Sequence, residues 1–203
     1  MKYFFALSII LFSASVVTAS PVITLKKGLV ITSSVTISRE TFYLNADTSM
    51  QVPLIIIEGK NITVDFNHCI LQGSNDKEQP NEFYGLAVLI KKGSTNINIL
   101  NANIHGFKIA VMADSAGHLQ ISNSDFSYNY RQHLHSNWKR EDVSDWMSYH
   151  HNEHDEWMRY GAGIYLKDCS NAVIKNNFIT GGQCGLMMMR CDSNEIYNNN
   201  FSF

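Results

Sequence analysis

Short runs of alternating apolar and polar residues recur along the chain, and the clearest of them is the segment 96–104. There Ile97 and Ile99 alternate with polar residues, which is the pattern of a half-buried β-strand. Asn101 interrupts the alternation, and Ile104 opens the next apolar run. The pattern predicts a short strand, a tight turn at the asparagine and a second short strand.

This strand–turn–strand unit repeats with a period of 22 residues. It returns at 119–126, and near the end of the chain Ile174 and Ile196 occupy equivalent positions. A further strand precedes each unit, in the segments 85–90, 109–112, 163–166 and 185–189. Repeats of this length that carry β-strands are typical of a solenoid. The sequence therefore predicts an all-β solenoid whose three-stranded coils, of about 22 residues each, pair in parallel.

One asparagine recurs at the same place in successive coils. Asparagine tolerates the left-handed backbone of a tight turn, and amides stacked in register can bond to one another. The four stacked positions are Asn101, Asn123, Asn176 and Asn198. With this repeat, residues 50–203 resemble the right-handed parallel β-helix proteins of the pectin-lyase-like superfamily. The resemblance implies a right-handed, single-stranded parallel β-helix, a fold that hosts lyases, hydrolases, epimerases, adhesins and capsular components.

The repeat is interrupted once, where 31 extra residues leave the solenoid at a single turn. This insertion, 128–161, holds all three tryptophans and five of the eight histidines. Long loops on a rigid scaffold are common sites of binding and catalysis. The insertion is therefore the main candidate for function.

Part of the insertion is expected to be helical, with Ser144 as the N-cap and Gly161 as the stop. Helical spacing would place an aromatic and histidine-rich set on one face. Its members are Trp146, His150, His154 and Trp157. Such a face suits ligand recognition, but it equally suits a loop that only packs onto the solenoid.

The residue types of the insertion fit a sugar polymer. Tryptophan faces stack on sugar rings, and arginines pair with the carboxylates of an acidic polysaccharide. The predicted substrate-binding residues are Trp138, Arg140, Trp146, Trp157 and Arg159. The predicted partner is accordingly a polysaccharide or another glycan.

The fold resemblance also implies a chemistry for an enzyme of this kind, which would be a polysaccharide lyase or a related carbohydrate-active enzyme. Such an enzyme abstracts a proton next to a carboxylate, so it needs a base, a neutralising cation and an acid. The predicted catalytic residues are His135, Tyr165 and Lys167. The alternative hypothesis is a noncatalytic surface or structural module whose insertion is an interaction patch or a metal-binding loop.

Two histidines of the insertion have the spacing of metal ligands. His150 and His154 lie four residues apart within an H-x-x-E-H segment, a pattern in which paired histidines share a zinc ion. The α/β scaffold of a zinc peptidase is not visible in the sequence. The prediction is therefore limited to a divalent metal held by these two residues.

The outer face of the second strand type is unusually apolar. If Val111, Ile164 and Leu186 face inward, the alternation of a strand directs their neighbours outward. The outward set is Ala110, Met112, Tyr165, Lys167, Met187 and Met189. Because exposed apolar patches are usually covered, the insertion is expected to lie over this face.

The N-terminus indicates export. Residues 1–19 have the short basic start, the apolar stretch and the small residues of a signal peptide. The mature domain, 20–203, has no further apolar segment long enough to span a membrane. We expect a secreted, periplasmic or cell-surface protein. Because Phe203 falls within a coil, we also expect either a longer chain or a partner that covers this end.

Charge and cysteine content narrow the class further. A formal net charge of −2 gives no basic surface for nucleic acid. Cys169 and Cys191 are 22 residues apart, so they occupy the same slot in neighbouring coils. Parallel side chains in one slot suit disulfide geometry poorly, which predicts free thiols.

Overall fold

The protein is described here by a computed structural model that covers residues 19–74, 79–146 and 153–202. All its sheets are parallel, and the chain winds through them in turn as a β-helix. The predicted signal peptide falls almost wholly outside the described residues. Within them, no helix is long and apolar enough to cross a membrane.

Three faces run along the solenoid. The first contains β1 (Val22–Ile23), β3 (Val35–Ile37), β6 (Lys60–Asp65), β9 (Thr95–Leu100), β12 (Gln120–Ser122), β14 (Val173–Lys175) and β17 (Glu195–Tyr197). The second contains β2 (Leu29–Ile31), β5 (Ile55–Ile57), β8 (Leu86–Ile90), β11 (Ile109–Asp114), β13 (Ala162–Lys167) and β16 (Leu186–Met189). The third contains β4 (Thr41–Tyr43), β7 (Ile70–Gln72) and β10 (Asn103–His105), followed by the pair β15 (Phe178–Thr180) and β18 (Asn200–Ser202).

The strand register confirms the predicted period. Ile99 pairs with Ile121, and Ile174 pairs with Ile196, each 22 residues further along the chain. Ile121 pairs with Ile174 in the same register although the insertion lies between them. The predicted all-β parallel solenoid is therefore confirmed.

The interior of the solenoid is a continuous apolar column. Val111 and Ile164 are fully buried in it, and the partly buried Leu186 packs against it. Each fully buried aliphatic side chain contributes roughly 1.5–3 kcal/mol relative to exposure. Since a single coil has no second layer, this burial arises only when coils stack.

The predicted asparagine stack lies on the outside of the solenoid. Asn101, Asn123, Asn176 and Asn198 all have left-handed backbones, with φ between 53° and 56°. Asn176 donates a hydrogen bond to the amide oxygen of Asn123 at 3.1 Å, whereas Asn101 donates to the Asp65 carboxylate at 2.9 Å. The aligned turn positions are thus confirmed, and their amides are at least partly open to solvent.

A second amide ladder, one position later, bonds the interior turns. Asn177 is buried, and its amide oxygen accepts from the Ser124 backbone N–H at 3.1 Å. Its amide nitrogen donates to the Ile121 carbonyl at 3.1 Å and to the Asn199 amide oxygen at 3.0 Å. This ladder, which the sequence pattern did not reveal, satisfies backbone groups that the turn would otherwise leave unpaired.

The cysteines are free thiols, as predicted. Cys169 is buried and donates to backbone carbonyls, and Cys191 does the same one coil further on. Burial raises the pKa of Cys169 to about 11. A thiol of this pKa stays protonated near neutral pH, so it is a poor nucleophile.

The insertion contains 3₁₀ turns where an α-helix was expected. Within the described residues the turns are Val143–Asp145 and Glu153–Tyr160. Asp142, and not Ser144, is the N-cap, since its carboxylate accepts from the Ser144 backbone N–H at 2.9 Å. His154 has a left-handed backbone, which interrupts the helical course that the spacing predicted.

The insertion covers the methionine-rich face of the solenoid, as predicted. Tyr160 is buried against the outer side chains of the second face, and Trp157 and Met158 pack at its margin. The outer set in this second core includes Met112, Tyr165, Met187 and Met189. Ala110 departs from the prediction because it packs in the interior column.

Candidate functional site

A polar pocket of about 310 Å³ opens between the insertion and the solenoid. The segment 130–135 forms one side and the Val143–Asp145 turn another, while Asn81 closes it from the preceding coil. Its lining residues are Asn81, Tyr130, Gln132, His133, His135, Ser144 and Asp145. The two histidine rings lie 6.4 Å apart between centroids. The pocket therefore gathers donors, acceptors and two imidazoles on one wall.

Asp145 fixes the shape of this pocket. Its carboxylate accepts the backbone N–H groups of His135 at 2.9 Å and of Ser136 at 2.6 Å. The bond from the His135 N–H is the main cause that lowers the pKa of Asp145, so the group is ionised at neutral pH. Gln132 joins the same turn from the other side, donating to the Asp145 carbonyl at 3.0 Å.

A second pocket, of about 400 Å³, shares Asp145 with the first. Leu134 and Trp146 provide apolar surface, and the Trp146 side chain is 60 % exposed. Ser136, Asn137 and Glu141 add hydrogen-bonding groups. The shared carboxylate makes the two pockets one continuous recognition surface, which we call the Asp145 groove.

Beside this groove, a tight hairpin turn presents an exposed indole. Asn137 and Arg140 exchange backbone hydrogen bonds, and the Asn137 amide oxygen caps the turn by accepting from the Lys139 N–H. Trp138 is 89 % exposed, with the Lys139 ammonium 4.7 Å from the centre of its ring. The turn is thus ordered by its own bonds, while its indole faces solvent.

One comparison with known proteins gives a match, to the model of the right-handed β-helix region over residues 86–203. The matched span is more than half of the chain and contains the insertion. The chain belongs to the right-handed β-helix family. No curated protein and no solved structure matches this β-helix protein significantly.

The predicted catalytic residues of the β-helix protein do not form one cluster. His135 lines the polar pocket, which contains neither Tyr165 nor Lys167. Tyr165 has no exposed surface, since the insertion covers it. Lys167 forms an ion pair with Asp155 at 2.6 Å, and the bond to Asp155 raises the pKa of Lys167. These two side chains hold the insertion onto the scaffold.

The predicted substrate-binding residues fall into two groups. Trp146 lines the Asp145 groove, and Trp138 and Arg140 belong to the exposed hairpin turn beside it. Trp157 packs at the margin of the second core. Arg159 lies over the Tyr160 ring at 4.6 Å and donates to the Tyr160 hydroxyl.

The predicted metal ligands are only partly described. His150 lies outside the described residues, and His154 is exposed. Within the described ranges, no three His, Cys, Asp or Glu side chains group in a way that could hold a metal ion. The metal hypothesis therefore stays a prediction.

A lysine that the sequence pattern did not single out lies against the polar pocket. The Lys108 ammonium is 3.3 Å from the centre of the Tyr130 ring, and Tyr130 lines that pocket. Burial lowers the pKa of Lys108 to about 8, while the electron-rich ring face favours the charged amine. Lys108 comes next to the pocket only because the insertion folds back, so no local signal marks it.

The stability of the protein is expected to rise with pH relative to a Lys108→Met variant. The folded lysine loses its proton near pH 8, whereas the unfolded lysine keeps it until about 10.5. Between these values the unfolded state binds more protons, so deprotonation favours the folded state. Urea unfolding of both proteins at several pH values measures the difference. Both keep Tyr130, so its titration largely cancels, and parallel pH profiles would contradict the lowered pKa.

Proposed function

We propose that this chain is an exported β-helix protein that binds carbohydrate through the Asp145 groove. The observation that carries the proposal is the groove itself, where a half-open indole lies next to fixed hydrogen-bonding groups. A sugar ring has apolar C–H faces and a rim of hydroxyls, so it suits an aromatic surface bordered by carboxylates, amides and imidazoles. Export is supported by the signal-like residues 1–19.

The arrangement of the groove favours recognition of hydroxyl groups. Asp145 is ionised and anchored by two backbone N–H groups, which leaves its remaining lone pairs to accept from a ligand. Glu141 and Asn137 line the same groove near Trp146. Hydrogen bonds to charged acceptors are stronger than neutral ones, so a ligand hydroxyl gains most at Asp145.

A Trp146→Ala variant is expected to bind glycans at least about tenfold more weakly, which corresponds to about 1.4 kcal/mol. The variant removes the apolar wall of the groove without touching either core. The measurement is binding to a panel of neutral and uronic-acid oligosaccharides by isothermal titration calorimetry.

Trp138→Ala is the matched control, since it removes an exposed indole that does not line the groove. It should bind almost as well as the unaltered protein. Loss of binding in Trp138→Ala with retention in Trp146→Ala would move the site to the hairpin turn. Absence of binding to every glycan of the panel would refute the proposed function.

A second candidate is eliminative cleavage of a uronic-acid polymer in the polar pocket. His133, His135 and Tyr130 together offer a base and an acid there, and Lys108 lies under the Tyr130 ring. The reaction leaves an ultraviolet-absorbing double bond in the product. Incubation of the same panel, followed by absorbance, decides between binding alone and turnover.

A further inference from the structure

One corner of the solenoid holds a tyrosine where the neighbouring coils hold glycine. Asp125 pairs with Asn103 and with Phe178, so Gly106, Tyr128 and Gly181 occupy the same corner of successive coils. All three have left-handed backbones, with φ of 77°, 52° and 70°. Glycine adopts this conformation freely, but a bulky aromatic residue does so only under strain.

The tyrosine does not serve as interior packing. Half of the Tyr128 side chain is exposed, at 50 %. Its ring lies over Gly181, where an added Cβ would come within 2.9 Å of a ring carbon. Glycine at 181 therefore makes room for the ring. Strained residues that persist in one coil of a repeat are characteristic of functional positions.

The exposed ring forms one wall of a small pocket of about 160 Å³. Pro80 and Phe83 supply apolar surface from the preceding coil, and Arg131 supplies a positive charge. The backbone N–H of Arg131 donates to the Pro80 carbonyl at 3.2 Å, which anchors the chain at this point. Drug-sized ligands occupy roughly 300–1,000 Å³, so this pocket has room for a single small ring.

The charge of this pocket differs from that of the Asp145 groove. Among the residues that the structure describes, the Arg131 guanidinium forms no ion pair with a carboxylate. The groove, in contrast, contains the ionised Asp145 and Glu141. An anionic substituent would be repelled in the groove and attracted at Arg131.

We propose that Tyr128 and Arg131 form a subsite for a sugar ring that carries an anionic group. The ring stacks on Tyr128, and its carboxylate or sulfate pairs with the Arg131 guanidinium. The polar pocket of the groove is lined by Asn81 and Tyr130, the sequence neighbours of Pro80 and Arg131. One oligosaccharide therefore reaches both sites across these two segments. This inference rests on the proposed carbohydrate binding and adds an acidic class of ligand to it.

The test uses Tyr128→Gly, which restores the residue found in the neighbouring coils. It removes the ring and the backbone strain together, so the thermal unfolding temperature should stay unchanged or rise. Binding of uronic-acid oligosaccharides should fall at least about tenfold. Arg131→Gln should lower binding of the acidic oligosaccharides while leaving neutral ones unaffected, and should reduce the salt dependence of binding.

Three results would overturn the subsite. Acidic and neutral oligosaccharides that bind equally well, with binding that depends on Trp146 alone, would leave the proposed function standing and remove the subsite. A lower unfolding temperature of Tyr128→Gly with unaltered binding would show that the ring only packs. If no glycan binds the unaltered protein, the proposed function and the subsite fail together.

Discussion

Replacing Tyr165 by alanine is expected to lower the free energy of unfolding by about 3–5 kcal/mol, the usual cost of truncating a buried aromatic residue. Tyr165 is fully buried in the second core, between the solenoid and the insertion. Single domains are stable by about 5–15 kcal/mol, so this loss is a large part of the total. Urea unfolding of the two proteins measures it.

Tyr43→Ala is the matched control, because the Tyr43 side chain is 68 % exposed on an outer strand. Its effect should remain within about 0.5 kcal/mol. Limited proteolysis adds a local readout, since the Tyr165→Ala variant should be cut within 128–161 sooner than the control. Equal stabilities of the two variants would mean that the second core does not hold the insertion.

Replacing Asn177 by alanine is expected to destabilise the protein by about 2–5 kcal/mol. The change removes the partners of the Ser124 N–H and the Ile121 carbonyl, both within the stacked turns. Each buried polar group left unsatisfied costs about 1–3 kcal/mol. The free energy of unfolding in urea is again the measurement.

Asn176→Gly is the control for this ladder. Asn176 precedes Asn177 in the chain, but it is exposed and has a φ of 56°, which glycine adopts without strain. The loss of its bond to Asn123 should change stability by no more than about 0.5 kcal/mol. If Asn176→Gly proves as costly as Asn177→Ala, the outer asparagine stack is the stabilising one.

The comparison of these two asparagines shows how far the sequence could lead. The 22-residue period located the turns, since it reports the pairing of whole coils. It did not show which residue of the Asn176–Asn177 pair faces inward. A left-handed residue at the turn breaks the two-residue alternation, so the inward direction cannot be counted through it.

The insertion was less predictable because its contacts are not periodic. Spacing predicted a helix that begins at Ser144, but side-chain bonds of Asp142 and Asp145 to nearby backbone N–H groups favour tight turns. The covered methionine face was predictable, since alternation alone exposes it. The Lys108–Tyr130 contact was not, because it arises only when the insertion folds back.

Coil pairing passes over the insertion without a change in register. Ala113 pairs with Leu166 just as Leu166 pairs with Met188, although only the first pair spans the excursion. The winding of the scaffold is therefore independent of what that excursion contains. Natural variation can rewrite ligand preference at one corner while the remaining turns keep their order, in the way that an antibody framework carries its loops.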